Sequence, residues 1–415
     1  MDSFEVNGIR VHNVPNSSDM AFFGVAVTAG SNYDTPGQDG IAHFCEHMFY
    51  KGTKKRNWRQ INKDLAMLGA DYNAYTSRPN VLYYVALPKE NISNAIEFMM
   101  DIFFNSTFPA DEVEKERDVI LEEIKMYEDD PTAAFSNATS EALFVWDKGH
   151  YQAGKAEIVS KLNRDNIVNF LDAKYTSKNI LFLCCGDIQT DFLRKCIENN
   201  IPAEHQYFED EEKNEISLDL FSSLAKRPGN IKFIMEKEGV TQSIVSCFYP
   251  GLSAFDNCYF DSILAQKAIG GGVYSDLWTR IREELGLCYS TAISTLTNGY
   301  PHRTAIELYG FTSPENVDQF MEESTKVIQN AMKNGINKDI FECAKIDLIS
   351  TILRSTETSM GKASYIFRKH LFGKSSEVSE DVEKIRNIKI ETCNQLVQKL
   401  FSVEPVWALL KPKGE

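Results

Sequence analysis

Long apolar runs are missing from this 415-residue chain. The most apolar stretch, residues 180–185, suits a buried strand and falls far short of the roughly 18 residues of a membrane span. Positive charge is also scarce: 44 Lys and Arg stand against 59 Asp and Glu, a net charge of −15. Such a surface repels phosphate backbones and anionic lipid, which excludes nucleic acid and membrane as main partners. The nine cysteines are an odd number with no C-x-x-C, and their one adjacent pair is Cys184-Cys185. A disulfide scaffold is excluded, and reduced, buried thiols are expected. The first residues, Met1-Asp2-Ser3-Phe4-Glu5, show neither a basic segment ahead of an apolar core nor an Arg-rich presequence. The expected setting is the cytoplasm, with a mitochondrion-like organelle as the alternative.

What is present is an ordinary globular composition, 43% hydrophobic and 25% charged. The length suits two halves of about 200 residues each. Strands are expected over 4–14, 21–29, 71–76, 80–87 and 179–185. Helices are expected over 41–50, 58–68 and 111–127, with Ile92, Ile96, Met99 and Phe103 marking another. The acidic run Glu209-Asp210-Glu211-Glu212-Lys213 and the closing Pro228-Gly229 mark a linker. The expected division is an N-terminal domain over 1–205, an acidic linker over 206–228 and a C-terminal domain over 229–415.

The second half echoes the first. Leu68-Gly69-Ala70-Asp71-Tyr72 lines up with Leu285-Gly286-Leu287-Cys288-Tyr289, 217 positions further on. Each copy follows a charged amphipathic helix and precedes a strand hairpin and a striped helix. The expected fold is therefore α+β, with two similar domains, each a mainly antiparallel sheet packed with helices. Gly270-Gly271-Gly272 has no Walker lysine after it, so phosphate binding is set aside.

The most specific signal is His43-Phe44-Cys45-Glu46-His47, an H-x-x-E-H. Histidines four apart on a helix project from one face, so both ring nitrogens can reach one zinc ion. Glu46 shares that face and can take a proton from a water activated there. A catalytic site needs a third ligand. The 111–127 helix offers Glu116 and Glu123, seven apart on one face, and spacing leaves Glu112, Glu114 and Glu122 in competition. His150 reads as a loop or surface histidine, and His12, His205, His302 and His370 are isolated in sequence and read as structural.

The run HFCEHMFYKGT at 43–53 and ERDVILEEIKMY at 116–127 resemble the inverzincin peptidases of the pitrilysin/insulysin class. The likeness is to their processing-peptidase branch: bacterial zinc peptidases of similar size and the mitochondrial processing peptidase β subunit. The resemblance implies that Glu123 is the third ligand and that Glu116 supports the site from behind. It also covers Arg282-Glu283-Glu284-Leu285-Gly286-Leu287-Cys288-Tyr289, where Arg282 and Tyr289 match family residues that bind substrate and steady the oxyanion. Asn73, Ala74 and Tyr75 match an edge strand that pairs with substrate backbone. The stretch His150-Tyr151-Gln152-Ala153-Gly154 departs from the Pro-rich turn of related chains.

The resemblance thus implies a zinc metalloendopeptidase acting on peptides or unfolded polypeptides. It would work within a chamber formed by half of a clamshell, as a homodimer or as a heterodimer with a related subunit. One zinc per chain is expected, because Ala344 and Thr351 stand where the repeat would place Glu116 and Glu123. The alternative is a non-catalytic, peptide-binding partner of a related heterodimeric peptidase.

Overall fold

The computed structural model describes residues 1–143, 151–202, 231–297, 304–371 and 377–414. The expected linker at 206–228 lies outside these residues, as do His150, His205 and His302. In chain order the first elements are β1 (Asp2–Val6), β2 (Ile9–Pro15), β3 (Met20–Val27), α1 (Ile41–Met48), α2 (Trp58–Leu68), β4 (Asp71–Thr76), β5 (Val81–Pro88), α3 (Ile92–Phe104), α4 (Ala110–Asp129), α5 (Pro131–Leu143), α6 (Ala156–Val159), α7 (Arg164–Lys174), β6 (Ile180–Gly186) and α8 (Thr190–Glu198). There follow β7 (Ile231–Lys237), β8 (Ser243–Pro250), α9 (Tyr259–Gly270), α10 (Asp276–Trp278) running into a π-helical turn (Thr279–Glu284), β9 (Cys288–Thr297), β10 (Thr304–Thr312), α11 (Val317–Asn334), α12 (Lys338–Ser355), α13 (Ser359–Leu371), α14 (Val378–Arg386), α15 (Ile390–Phe401) and β11 (Val406–Pro412).

The chain folds into two compact α+β units. They depart from a consecutive division of the sequence at two segments. Ser355–Leu371 belongs to the first unit, and the segment after Tyr127 that carries α5 belongs to the second. The reason is apolar: Ala363, Ile366 and Phe367 of α13 pack on the first sheet, and Phe135 of α5 packs on the second.

The first sheet runs β1-β2-β6-β3-β5-β4. Its central strands are buried on both faces. Phe23, Val25 and Val27 of β3 enter the large core against α1 and α3, while Phe22 and Ala26 enter the smaller core under α13. Double-sided burial explains the unbroken apolar run of β6, which alternation alone would not identify. The single strand expected over 4–14 is a hairpin instead. Asn7 (φ 50) and Gly8 (φ 77) are consecutive left-handed residues, the two-residue turn that an Asn-Gly pair favours.

The second sheet runs β7-β11-β8-β10-β9 and repeats the neighbours β2-β6-β3-β5-β4. In both, the first pair is parallel and the others antiparallel. The edge strands β4 and β9 begin at Asp71 and Cys288, positions that the sequence repeat equates. Among the described residues no helix is long and apolar enough to cross a membrane.

Candidate metal centre

The first unit's site is built on α1. Gly40 caps this helix with φ 95, and the buried Asp34 carboxylate accepts from the Gly40 and Ala42 N–H groups at 2.7 and 3.0 Å. These bonds satisfy donors that a helix start leaves open. A Cβ on Gly40 would stand 2.5 Å from the Ala153 carbonyl oxygen, and one on Gly154 would stand 2.2 Å from that of Asp39. Two glycines therefore let the segment after His150 cross the helix start at backbone distance. Ile41, Phe44, Cys45 and Met48 bury one face of α1, leaving Glu46 and His47 partly open.

His43 and His47 turn their Nε2 atoms toward each other at 3.3 Å. Glu123 of α4 lies across from them, with Oε1 3.8 Å from His43 Nε2 and Oε2 3.4 Å from His47 Nε2. Ligands about 2.0–2.1 Å from one tetrahedral ion stand about 3.3 Å from each other, so the donor set fits zinc in type and spacing. Among the described residues this is the one cluster of three His, Cys, Asp or Glu side chains so arranged. The competing carboxylates are engaged elsewhere: Glu112 with Lys115, Glu114 with Arg117, Glu122 with Lys125.

Glu116 is buried on the same helix. Its Oε1 accepts from His47 Nδ1–H at 2.9 Å, and its Oε2 meets the Lys51 ammonium at 2.5 Å. Holding the proton on Nδ1 leaves Nε2 free to bind a cation. Burial alone would raise the Glu116 carboxyl, but bonds to His47 and Lys51 outweigh it and hold it below the usual range. Burial likewise works against His47, yet its two glutamates hold it at about 9, while burial and the neighbouring His47 press His43 down to about 4. Glu123 is lowered, chiefly by its bond to His47.

Glu46 is no part of the ligand cluster. Its Oε2 accepts from the Thr76 hydroxyl at 2.6 Å, and burial raises its pKa. Thr76 ends β4, which among the described residues pairs only with β5 and so forms the sheet edge. Asn73, Ala74 and Tyr75 lie on this edge, and the Ala74 N–H bonds to Asn73 Oδ1 at 2.9 Å. Arg282 and Tyr289 belong to the second unit, where the guanidinium lies over the rings of Trp278 and Tyr289, 4.3 and 5.2 Å from their centroids.

Several of these residues escaped the sequence reading. Lys51 had no helical signal, since it lies beyond the end of α1 at Met48. Asp34 had none either, whereas Tyr127 beside Glu123 and Trp278 beside Arg282 each lie four positions along a helix from the residue they touch. His12 and His370, isolated in sequence, meet in the fold with Nε2 and Nδ1 3.1 Å apart.

A helix-borne histidine pair facing a glutamate of a second helix, on a duplicated α+β fold, is the architecture of the inverted zincins. The chain belongs to the M16 peptidase family. Residues 11–148 match the family's "Insulinase (Peptidase family M16)" domain, and 161–348 match its "Peptidase M16 inactive domain". Its relatives include the uncharacterized zinc protease YmxG of Bacillus subtilis (strain 168), 27% identical over 98% of this chain and 97% of that one. The mitochondrial-processing peptidase subunit beta of Dictyostelium discoideum is 27% identical over 98% and 87%. A protease from Helicobacter pylori has the same fold, with TM-score 0.87, 18% identity and 99% of each chain covered. So does a peptidase M16 inactive domain from Pseudomonas fluorescens, at TM-score 0.84 and 16% identity over 99% and 98%. The fold therefore occurs under both descriptions, and activity must be argued from side chains.

Proposed function

We propose that this chain is a zinc metalloendopeptidase that hydrolyses extended, unfolded polypeptides. The observation that carries the reading is the separation of duties among carboxylates: Glu123 faces the imidazoles, Glu116 braces one of them, and Glu46 is left over beside the sheet edge.

In this reading His43 and His47, through Nε2, and Glu123 hold one zinc ion. Bound there, zinc acidifies a water and polarises a peptide carbonyl. Glu46 takes the proton of the attacking water and returns it to the leaving amine. Its raised pKa suits a group that must both accept and donate, and the Thr76 hydroxyl fixes its orientation. The edge at Asn73, Ala74 and Tyr75 binds substrate as an added strand, which supplies affinity with little demand on sequence. Arg282 and Tyr289 bind substrate and donate to the oxyanion. An enclosed chamber and pairing with a second or related chain complete the proposal. The processing-peptidase relative supports a polypeptide substrate and a heterodimer.

The test is Glu46→Gln on purified protein with an unstructured peptide mixture. The variant should keep zinc and lose cleavage. Unchanged cleavage removes Glu46 as the base. A wild-type protein that binds peptide and zinc yet cuts nothing supports the non-catalytic partner instead.

A further inference from the structure

The two copies of the repeat differ by one residue at a telling place. In the first unit, Leu65 is fully buried on α2, and its carbonyl accepts from the Ala70 N–H, five positions on, beside Gly69 at φ 62. In the second unit, Ile281 is fully buried and its carbonyl accepts from the Leu287 N–H, six positions on, beside Gly286 at φ 61. Ile61 and Leu277, one turn earlier, are also fully buried. The buried anchors and the closing glycines thus correspond, and the second copy holds one extra residue between them. The helix absorbs it as the π-turn Thr279–Glu284, whereas α2 is α-helical throughout. Such single-turn widenings are rare and concentrate at functional sites.

The widened turn presents Arg282 to a ready-made clamp. Its guanidinium lies over the Trp278 ring, 4.3 Å from the centroid, and over the Tyr289 ring, 5.2 Å from the centroid. Glu283 Oε1 accepts from the Trp278 indole N–H at 3.0 Å and lies 3.7 Å from Arg282 Nη1. Tyr289 is 79% exposed and cannot hold the arginine alone. Trp278, only partly exposed and tied to Glu283, is the firmer wall. A free arginine visits many rotamers, and stacking on an indole face selects among them.

We propose that Trp278 is a positioning residue, holding the Arg282 guanidinium in the orientation from which it meets substrate. This rests on the reading above, in which Arg282 acts on substrate. The experiment is a double-mutant cycle in steady-state peptide cleavage with zinc-loaded protein. Trp278→Leu, which keeps apolar bulk but removes ring and N–H, should lower kcat/KM by roughly 3- to 30-fold, mainly through kcat, with zinc content unchanged. Trp278→Phe should restore activity to within about threefold of wild type, since it returns an aromatic face. In an Arg282→Ala background, Trp278→Leu should cost no more than about twofold, because nothing remains to be positioned. A damaged Arg282→Ala enzyme beside an undamaged Trp278→Leu enzyme overturns the positioning role alone, and so do losses that multiply. An Arg282→Ala enzyme of unchanged kcat/KM overturns the substrate role of Arg282 and the positioning role with it.

Discussion

Replacing Glu116 by glutamine tests how much the ion's binding depends on a residue that does not touch it. The glutamine oxygen can still accept from His47 Nδ1–H, now 2.9 Å from the carboxylate, so the shape survives and the charge does not. Hydrogen bonds to charged partners contribute about 1.5–3 kcal/mol and neutral ones about 0.5–1.5, a difference of about 1–1.5 kcal/mol felt by His47 as a ligand. Lys51 loses its partner as well, but its side chain is 27% exposed and can turn to water, which keeps that penalty small. The sum corresponds to zinc binding about 5- to 15-fold weaker, at the lower end of the range for residues that orient a metal ligand. Competition against a chromophoric chelator reads this directly. The matched control is Glu112→Gln on the same helix, whose carboxylate pairs with Lys115. It should shift zinc affinity by less than about twofold. Equal weakening by both substitutions, or none by Glu116→Gln, would refute the argument that Glu116 acts through His47.

Two further outcomes are expected. Ala74→Pro removes an N–H that bonds to the Asn73 side chain, so the sheet should hold; KM for peptide should rise about 2- to 10-fold with kcat little changed, and an unaltered KM would remove β4 as the substrate-pairing edge. His12 is pressed to about 4, first by burial and then by His370 and Arg10. A histidine whose folded pKa lies below its unfolded value contributes stability that is present above about 6.5 and lost as pH falls toward about 4. Urea unfolding of the metal-free protein should therefore lose about 1–2 kcal/mol more over that window than His12→Gln does, allowing for partial screening. Parallel pH slopes for the two proteins would contradict this.

Much of the fold was legible. α2 and β4 occur at the expected residues because each has a local signature: for α2, Asn57 accepts from the Gln60 N–H and Gly69 closes the helix in a left-handed conformation. The hairpin at Asn7-Gly8 was legible but missed: β1 and β2 alternate apolar and polar residues, and the Asn-Gly pair between them is the signal of a two-residue turn. The exchange of α5 and α13 between the units was not legible at all. Which sheet face a helix covers depends on cores such as Phe22, Tyr84 and Phe367, which meet only in three dimensions. At the site, His43, Glu46 and His47 could be read from one helix turn, since chemistry and spacing coincide there. Glu123 could not be separated from Glu112, Glu114 and Glu122 by spacing, and the family resemblance pointed to it. The structure supplies a physical reason: those three have cations one turn away, and Glu123 faces the imidazoles.

The most direct measurement of the account is a zinc titration of the metal-free protein, followed by cleavage of an unstructured peptide. Cleavage should rise in proportion to added zinc and stop rising at one equivalent per chain, and Glu123→Ala should abolish both tight binding and cleavage. Cleavage that survives chelation, or a Glu123→Ala protein that binds zinc and cuts as the wild type does, would contradict it.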